Sequence, residues 1–427
     1  MRVDVMKRID QWAGGFGCFA LDLVDLLIGR LRPEVPREQV RVVLITKYLG
    51  MGSIVLAAPM AARIRELFPQ ARLVFLTFAE NREPAEMLGL FDEILTIDPR
   101  RLTGLARDTL ATLWRLWRTG VDVVCDLEFF TRYSAMMAYL SGARTRVGYW
   151  SRIAWRGNLL THPVYYNGMK HITRVFLAQA EALGATIDER APLRLPAVAA
   201  DERAARGCAA VLAELGVDLR QPLLLVNPNA SDLCLERRWM ADRFARVVDT
   251  LLAENPGMAA VMVGSRADST YSRGVVGLCR TKTRVVDAAG RLSIRELVEA
   301  LREADLFVTN DSGPLHLATL VDTPTVALFG PETPSLYGPL GARQRVFYSG
   351  VYCSPCLNDY NSKTASCRGN NICLQAVGAD EVLAACRALL SEGQQGRALL
   401  SEGRQGRALL SERDAGRAGL GRTAASS

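Results

Sequence analysis

The sequence has no uninterrupted apolar run long enough to cross a bilayer as a helix, which takes about 20 residues. Its nearest approach, Trp12 to Ile28, is broken by Asp22 and Asp25, and charges inside such a run argue against a spanning segment. The same stretch has no clean apolar core followed by a small-residue cleavage site, so it does not read as a secretory signal. A strong charge of one sign is also missing. The net charge is +7, and residues 387–427 hold seven Arg against four Asp or Glu, leaving about +4 for everything before them. That is too little for a nucleic-acid footprint, while an acidic or phosphorylated small partner remains compatible.

Cysteine is present but not in a secreted pattern. Six of the ten (Cys18, Cys125, Cys208, Cys234, Cys279, Cys386) are scattered, several of them inside apolar runs, as reduced core thiols usually are. The expected compartment is therefore cytoplasmic. The other four, Cys353, Cys356, Cys367 and Cys373, stand in C-x2-C-x10-C-x5-C spacing. They suit either a tetrahedral zinc or iron–sulfur site or a set of reduced or paired structural thiols.

With 427 residues, 49% hydrophobic and 23% charged, the chain has room for two domains plus appendages. At its start, Trp12, Phe16, Phe19, Leu23 and Leu26 recur at helical spacing, with Asp22, Asp25 and Gly29 off that stripe and Lys7, Arg8, Arg30 and Arg32 bracketing it. The pattern predicts an amphipathic helix within 1–38. Such a helix lies in a membrane interface, or packs on the protein's own surface or on a second subunit.

From Gln39, apolar strands at 40–46, 71–78 and 121–128, with a short one in FDEILTID, alternate with helices, the signature of a parallel sheet covered on both faces. After the proline-punctuated link DERAPLRLPAVAADERA the order repeats, with strands at 222–228, 258–264, 305–310 and 324–330 and a short run RVVDAAG. The expected fold is α/β: two Rossmann-like domains, 39–200 and 201–345, facing a central cleft. A cysteine-rich segment with a closing helix (346–386) and a tail (387–427) follow. The tail repeats RALLSEGQQG, RALLSEGRQG and RALLSERDAG; a period of ten does not keep the leucines on one helical face, so a disordered low-complexity tail is expected.

Ligands of such folds sit at the carboxyl ends of strands, where four loops stand out. TKYLGMGS carries Gly50, Gly52 and Ser53 at a helix start, and NPNASDLCLERRW carries Ser231, Arg237 and Arg238. VGSRADS offers Gly264 and Ser265 to a nucleotide and Asp268 to a ribose. TNDSGPLHL holds Asn310, Asp311, Ser312, Gly313 and His316, a polar knot between two buried strands whose helix start attracts an anion. A lone histidine beside a sheet is usually packed; its Asp, Ser and Gly neighbours favour function.

The run DLFVTNDSGPLHLATLVDTPTVALFGPETPSLYGPLG resembles the signature of glycosyltransferase family 9, the ADP-heptose:lipopolysaccharide heptosyltransferases and relatives, and KYLGMGSIVLAAPMAARIRELFP and NPNASDLCLERRWMADRFARVV resemble its other motifs. The resemblance covers about 40–385 and implies the GT-B fold and an inverting transfer. The donor would be a nucleotide-sugar, ADP-heptose or similar, and the acceptor a lipopolysaccharide-core or related envelope glycolipid, met at the inner face of the cytoplasmic membrane without a catalytic cofactor. Asp311, Ser312, Gly313 and His316 match its Asp-Ser/Thr-Gly-x-x-His, which holds the diphosphate and sugar, and Ser231 and Arg238 match its phosphate-facing pair. No Asp-x-Asp pair occurs, consistent with GT-B enzymes that stabilise the leaving group by helix termini and basic side chains.

One position departs from the family. Its Gly-Asp, taken as the general base, is Gly52-Ser53 here, and serine alone does not take a hydroxyl proton at neutral pH. Asp126 and Glu128, at the acidic end of the 121–128 strand, are the replacement candidates, with Glu128 nearer the tip; the alternative is that they cap the next helix or pair with Arg132. Two rival functions stay open: a catalytically silent sugar-nucleotide binder or scaffold, and a GT-B epimerase or phosphorylase.

Overall fold

The computed structural model describes residues 8–28, 33–152, 155–230, 234–358, 363–393 and 395. Ser231, the basic flank at Lys7, Arg30 and Arg32, and the repeat tail beyond 395 lie outside the described residues.

Twelve strands build two sheets. The first contains β1 (Val42–Thr46), β2 (Arg72–Phe78), β3 (Glu93–Ile97), β4 (Val123–Asp126), β5 (Thr145–Trp150) and β6 (His162–Tyr165), in the order β3-β2-β1-β4-β5-β6. The second contains β7 (Leu223–Asn227), β8 (Ala259–Met262), β9 (Val285–Asp287), β10 (Leu306–Asn310), β11 (Thr325–Phe329) and β12 (Gln344–Tyr348), in the order β12-β11-β10-β7-β8-β9. All ten pairings are parallel. The central strands VVLIT, LLLVN and LFVTN are buried at every position, as a sheet with helices on both faces requires. In each half the strand order reverses beside the first strand, at β1/β4 and at β7/β10, and a crevice opens there at the carboxyl ends. Two Rossmann-like halves of GT-B form result.

The two crevices meet. Helix Met51–Leu56, after β1, packs on helix Gly313–Leu320, after β10. A Cβ on Gly52 would lie 2.4 Å from Cδ2 of His316, and one on Gly313 would lie 2.4 Å from Cε of Met51. Elsewhere the halves are joined by Glu83, whose carboxylate accepts from Arg295 N (2.8 Å) at the start of helix Ile294–Glu303, and by His171 Nε2 with Gly338 O (2.9 Å).

Sequence periodicity missed three strands, and their composition explains why. β5 contains Gly148 and the edge strand β6 contains Pro163, the residues that weaken a strand pattern and are tolerated near an edge. β12 has no buried position to mark it. It also straddles the expected boundary at 345/346. The expected start of the tail at 387 falls inside a helix at 379–393, where Leu389 and Leu390 of the first repeat are buried against the second sheet.

The N-terminal helix exists, and it is turned inside out. Residues 8–28 are helical, with a π-type turn at Asp10–Gly14. Its acidic side faces the protein. Asp10 accepts from Arg132 N (3.0 Å) and Tyr133 N (2.7 Å) at the start of helix Arg132–Leu140, Asp22 accepts from Asn158 N (2.6 Å), and Asp25 pairs with Arg146 (3.5 Å). Cys18 is fully buried among Ala135, Tyr139 and Leu159. The aromatic stripe points outward, with Trp12 79% and Phe16 76% exposed.

Candidate functional site

The polar knot after β10 is built from the sheet upward. Asn310 is fully buried; its Oδ1 accepts from Trp239 N (3.0 Å) and its Nδ2 donates to Pro228 O (2.9 Å) and Asn229 O (3.2 Å), stitching the ends of β7 and β10 together. Ser312 stands at the N-cap position of helix Gly313–Leu320, with Pro314 in the first turn, but its Oγ accepts from Asn227 Nδ2 (2.8 Å) rather than from the helix amides. Asp311 N donates to Leu328 O (2.9 Å), which fixes the backbone between β10 and β11.

Around this turn lies a buried set of charges. Arg237 Nε stands 3.4 Å from Asp311 Oδ2, too poorly aligned for a hydrogen bond, and Arg237 Nη2 stands 3.9 Å from Glu332 Oε2. Glu332, which follows β11, is only 1% exposed; burial raises its pKa, against the lowering influence of Lys363. Lys363 Nζ lies 2.5 Å from its Oε2. Asp311 Oδ2, Arg237 Nε and His316 Nδ1 are buried without hydrogen-bond partners. Such orphaned atoms are uncommon in folded proteins, and each leaves a desolvation cost of about 1–3 kcal/mol uncompensated.

The other donor-side candidates sit apart. Arg238 turns towards β8, pairing with Asp268 (3.6 Å) and lying over the Tyr271 ring (4.2 Å). Ser265 and Asp268 engage each other as a capping box, Oγ to Oδ2 at 2.6 Å. The structure therefore brings Asp311, Ser312, Gly313 and His316 together with Arg237 and the Gly50–Ser53 loop, and leaves Ser265, Asp268 and Arg238 on the β8 side.

The acidic end of β4 forms a second buried network. Asp126 is fully buried and accepts from Thr46 Oγ1 (3.0 Å), Ser134 Oγ (2.8 Å), Arg156 Nη1 (2.9 Å) and Glu128 N (3.1 Å). Burial raises its pKa and Arg156 opposes the rise. Glu128 Oε1 accepts from Lys47 Nζ (2.9 Å), Tyr48 N (2.7 Å) and Leu49 N (2.9 Å), which moulds the loop leading to Gly50. Glu128 neither caps the next helix nor pairs with Arg132; Asp10 takes that capping position. Phe129 packs against Tyr149, Tyr166 and Phe176. Ser53 is half-buried in the first turn of its helix and its hydroxyl has no protein partner among the described residues.

Sequence reasoning passed over Glu332, Lys47 and Lys363, and named Arg237 only as the neighbour of Arg238. Glu332 carried the usable signal, a carboxylate just beyond the apolar strand VALFG. Arg237 and Arg238 are neighbours that no spacing rule separates. The four spaced cysteines lie in one segment beside Glu332; no disulfide joins any of the ten cysteines, and among the described residues no group of three or more His, Cys, Asp or Glu is arranged to hold a metal ion.

The comparisons with known proteins agree with this architecture. The family model described as Glycosyltransferase family 9 (heptosyltransferase) matches residues 113–365. The lipopolysaccharide core heptosyltransferase OpsX of Haemophilus influenzae is 21% identical over 299 residues, covering 69% of this chain and 80% of that protein. Among solved structures, Escherichia coli ADP-heptose lps heptosyltransferase II superposes with a TM-score of 0.67 at 19% identity, covering 83% of this chain and all of the other. E. coli heptosyltransferase WaaC with ADP gives a TM-score of 0.59 at 17% identity, covering 82% and 99%.

His316 yields a stability prediction. Burial, with the nearby positive groups His171 and Arg237, pulls its pKa down to about 3, against about 6.5 unfolded. A depressed pKa means that its contribution to stability is complete above about 6.5 and is lost as pH falls towards 3. Urea denaturation at pH 7.5 and 5 is expected to show the wild type losing about 2 kcal/mol more than His316→Gln, on the scale of about 1.4 kcal/mol per pH unit. Equal losses would show that His316 is not held neutral in the folded protein.

Proposed function

The chain belongs to glycosyltransferase family 9, the heptosyltransferases, and on that ground we propose that it moves a heptose or similar sugar from an ADP-linked donor to a lipopolysaccharide-core or related envelope glycolipid, with inversion. The observation that carries this reading is the set of orphaned buried atoms at the ends of β7, β10 and β11: Asp311 Oδ2, Arg237 Nε and His316 Nδ1. A donor diphosphate and its sugar supply the partners that the protein withholds.

In this reading Arg237, with the start of helix Gly313–Leu320, meets the charge that grows on the departing diphosphate. Ser312 keeps the turn in shape through Asn227 and Thr309. Neutral His316 offers a hydrogen bond rather than a charge. Arg238 and Asp268 flank the nucleoside side, with Ser265 on the same loop as Asp268. On the acceptor side Glu128 is the proposed base: Oε1 is fully engaged, whereas Oε2 takes no hydrogen bond from the described residues and is free to receive a hydroxyl proton. Asp126 positions it through Glu128 N, and Ser53 lines the path.

The helix at 8–28 supports a peripheral place on the inner face of the cytoplasmic membrane. No helix among the described residues is long and apolar enough to cross a membrane. Its outward stripe is of the interfacial kind. A second exposed row, Leu110, Trp114 and Trp117, lies on helix Leu102–Thr119 in the same layer, because helix Arg132–Leu140 touches both: Tyr133 OH meets Thr109 Oγ1 (2.7 Å) and Leu140 O accepts from Trp117 Nε1 (2.5 Å). Beside it, a groove of about 720 Å³ at the amino ends of β1 and β2 is lined by Arg41, Arg72, Arg115 and Arg118, cations suited to anionic lipid.

Three measurements test this. Arg237→Ala is expected to weaken ADP-heptose binding by about 1.5–3 kcal/mol, the scale of a charged hydrogen bond, and Arg238→Ala by less; the reverse order moves the phosphates to Arg238. Glu128→Gln keeps an acceptor for the Tyr48 and Leu49 amides and is expected to lower acceptor-dependent ADP release by about 100-fold at unchanged donor affinity; near-normal turnover removes Glu128 as base, and donor binding without any ADP release by the wild type favours a silent binder. Replacing Phe16 and Phe19 together by Asp is expected to cut binding to anionic vesicles at least about tenfold, since each buried Phe contributes about 1.5–3 kcal/mol; unchanged binding places the helix elsewhere.

A further inference from the structure

Two aromatic rings stand exposed at the carboxyl edge of the first sheet. β5 is buried at every position but its last, Trp150, and β6 ends in Tyr165; Trp150 is 40% exposed and Tyr165 75%. The two residues are direct partners in the parallel register, so their side chains leave the sheet on one face, and the rings meet at 5.6 Å and 83°. Asp126 of β4 is in turn the register partner of Gly148, whose Cβ would lie 3.4 Å from that of Asp126. Trp150 is two residues beyond Gly148, so the pair shares the sheet face of Asp126.

The order β4-β5-β6 sets this pair beside the proposed base. Neighbouring strands lie about 4.8 Å apart, so Trp150 and Tyr165 stand one and two strand spacings from the strand that ends in Asp126 and leads to Glu128. Buried contacts hold the three strand ends in one frame. Arg156 donates from Nη2 to Tyr149 O (2.6 Å) and from Nη1 to Asp126 Oδ2 (2.9 Å) and Glu128 O (3.2 Å), which fixes the end of β5 against the Glu128 turn. Tyr166, next to Tyr165, packs its ring on Phe129 (4.9 Å) and Phe130 (5.7 Å), which fixes the end of β6 against the same turn.

Large apolar groups left open on a rigid rim mark a binding surface. A residue serving only as a membrane anchor belongs on the outer side of the helix layer, where Trp12 and Phe16 are; Trp150 and Tyr165 instead stand at strand ends, where ligands of such sheets bind. Their rings meet at a right angle and form a corner rather than a flat patch. A sugar ring suits that corner, because one of its faces carries mainly C–H bonds that pack on the negative face of an aromatic ring while its hydroxyls stay in water. The Tyr165 hydroxyl adds a donor and an acceptor for one of them. We propose that Trp150 and Tyr165 are acceptor-binding residues, a platform for a sugar ring of the acceptor glycan adjoining the ring whose hydroxyl reaches Glu128. The inference rests on the glycosyl-transfer reading given above.

Initial rates with ADP-heptose and a deacylated lipopolysaccharide-core oligosaccharide test it in the full chain, alongside binding to anionic vesicles. Trp150→Ala and Tyr165→Ala are each expected to raise the KM for the oligosaccharide about tenfold, the scale of losing one well-packed aromatic contact. The KM for ADP-heptose and vesicle binding stay unchanged, and Trp150→Phe and Tyr165→Phe recover most of the loss. An unchanged KM for the oligosaccharide overturns the inference, and a loss of vesicle binding beside it assigns the pair to the membrane. Equal rises in both KM values overturn it as well, since the pair then only braces the strand ends. A wild type that uses the acylated glycolipid but not the oligosaccharide overturns the inference while the transfer reading stands; one that uses neither overturns both.

Discussion

Gly52 comes so close to the His316 imidazole that no side chain fits between them, and much of the site depends on that approach. It brings the start of helix Met51–Leu56 from one half against helix Gly313–Leu320 from the other, so the two strand-end crevices become one cleft. The contact buries His316 beside Arg237 and His171 and keeps it neutral. It also sets Ser53 and the Glu128-supported loop opposite the Asp311 turn, so that the proposed acceptor and donor residues face one cleft. Proximity of this kind is what a bimolecular transfer needs most from its protein.

The carboxylates at the end of β4 and the charges around Asp311 are held differently. On the first sheet, Asp126 is surrounded by Thr46, Ser134, Arg156 and the Glu128 amide, and Glu128 Oε1 by three donors. These groups are satisfied within the fold and hold loops in shape. On the second sheet, Asp311, Arg237 and His316 each keep a buried polar atom without a partner. A folded protein tolerates such atoms when a ligand completes them.

The N-terminal helix inverts the usual arrangement of a surface helix. Its three aspartates dock inward on two backbone amides of helix Arg132–Leu140, on Asn158 and on Arg146, while its aromatic residues face out. A helix packed only to stabilise the domain would turn the other way, because apolar burial contributes far more than exposed polar contacts. The arrangement fits a layer whose final partner is an apolar phase outside the protein.

The sequence by itself determined the two sheets, the alternation of their helices and the location of the polar turn, because buried parallel strands leave unbroken runs such as VRVVLIT and DLFVTN, and because Asn, Asp, Ser and Gly between two such runs mark a turn at the strand end. It also determined that 8–28 is amphipathic, since helical spacing is a local property. Which side of that helix meets the protein is not local: it was decided by where the Arg132 and Tyr133 amides and Arg146 stand in the folded domain. The choice between Arg237 and Arg238 was likewise left to tertiary structure, since adjacent side chains diverge, one to Asp311 and the other to Asp268. Glu128 and Asp126 looked alike as strand-end carboxylates, and only the donors converging from β1, helix Arg132–Leu140 and Arg156 gave them different surroundings.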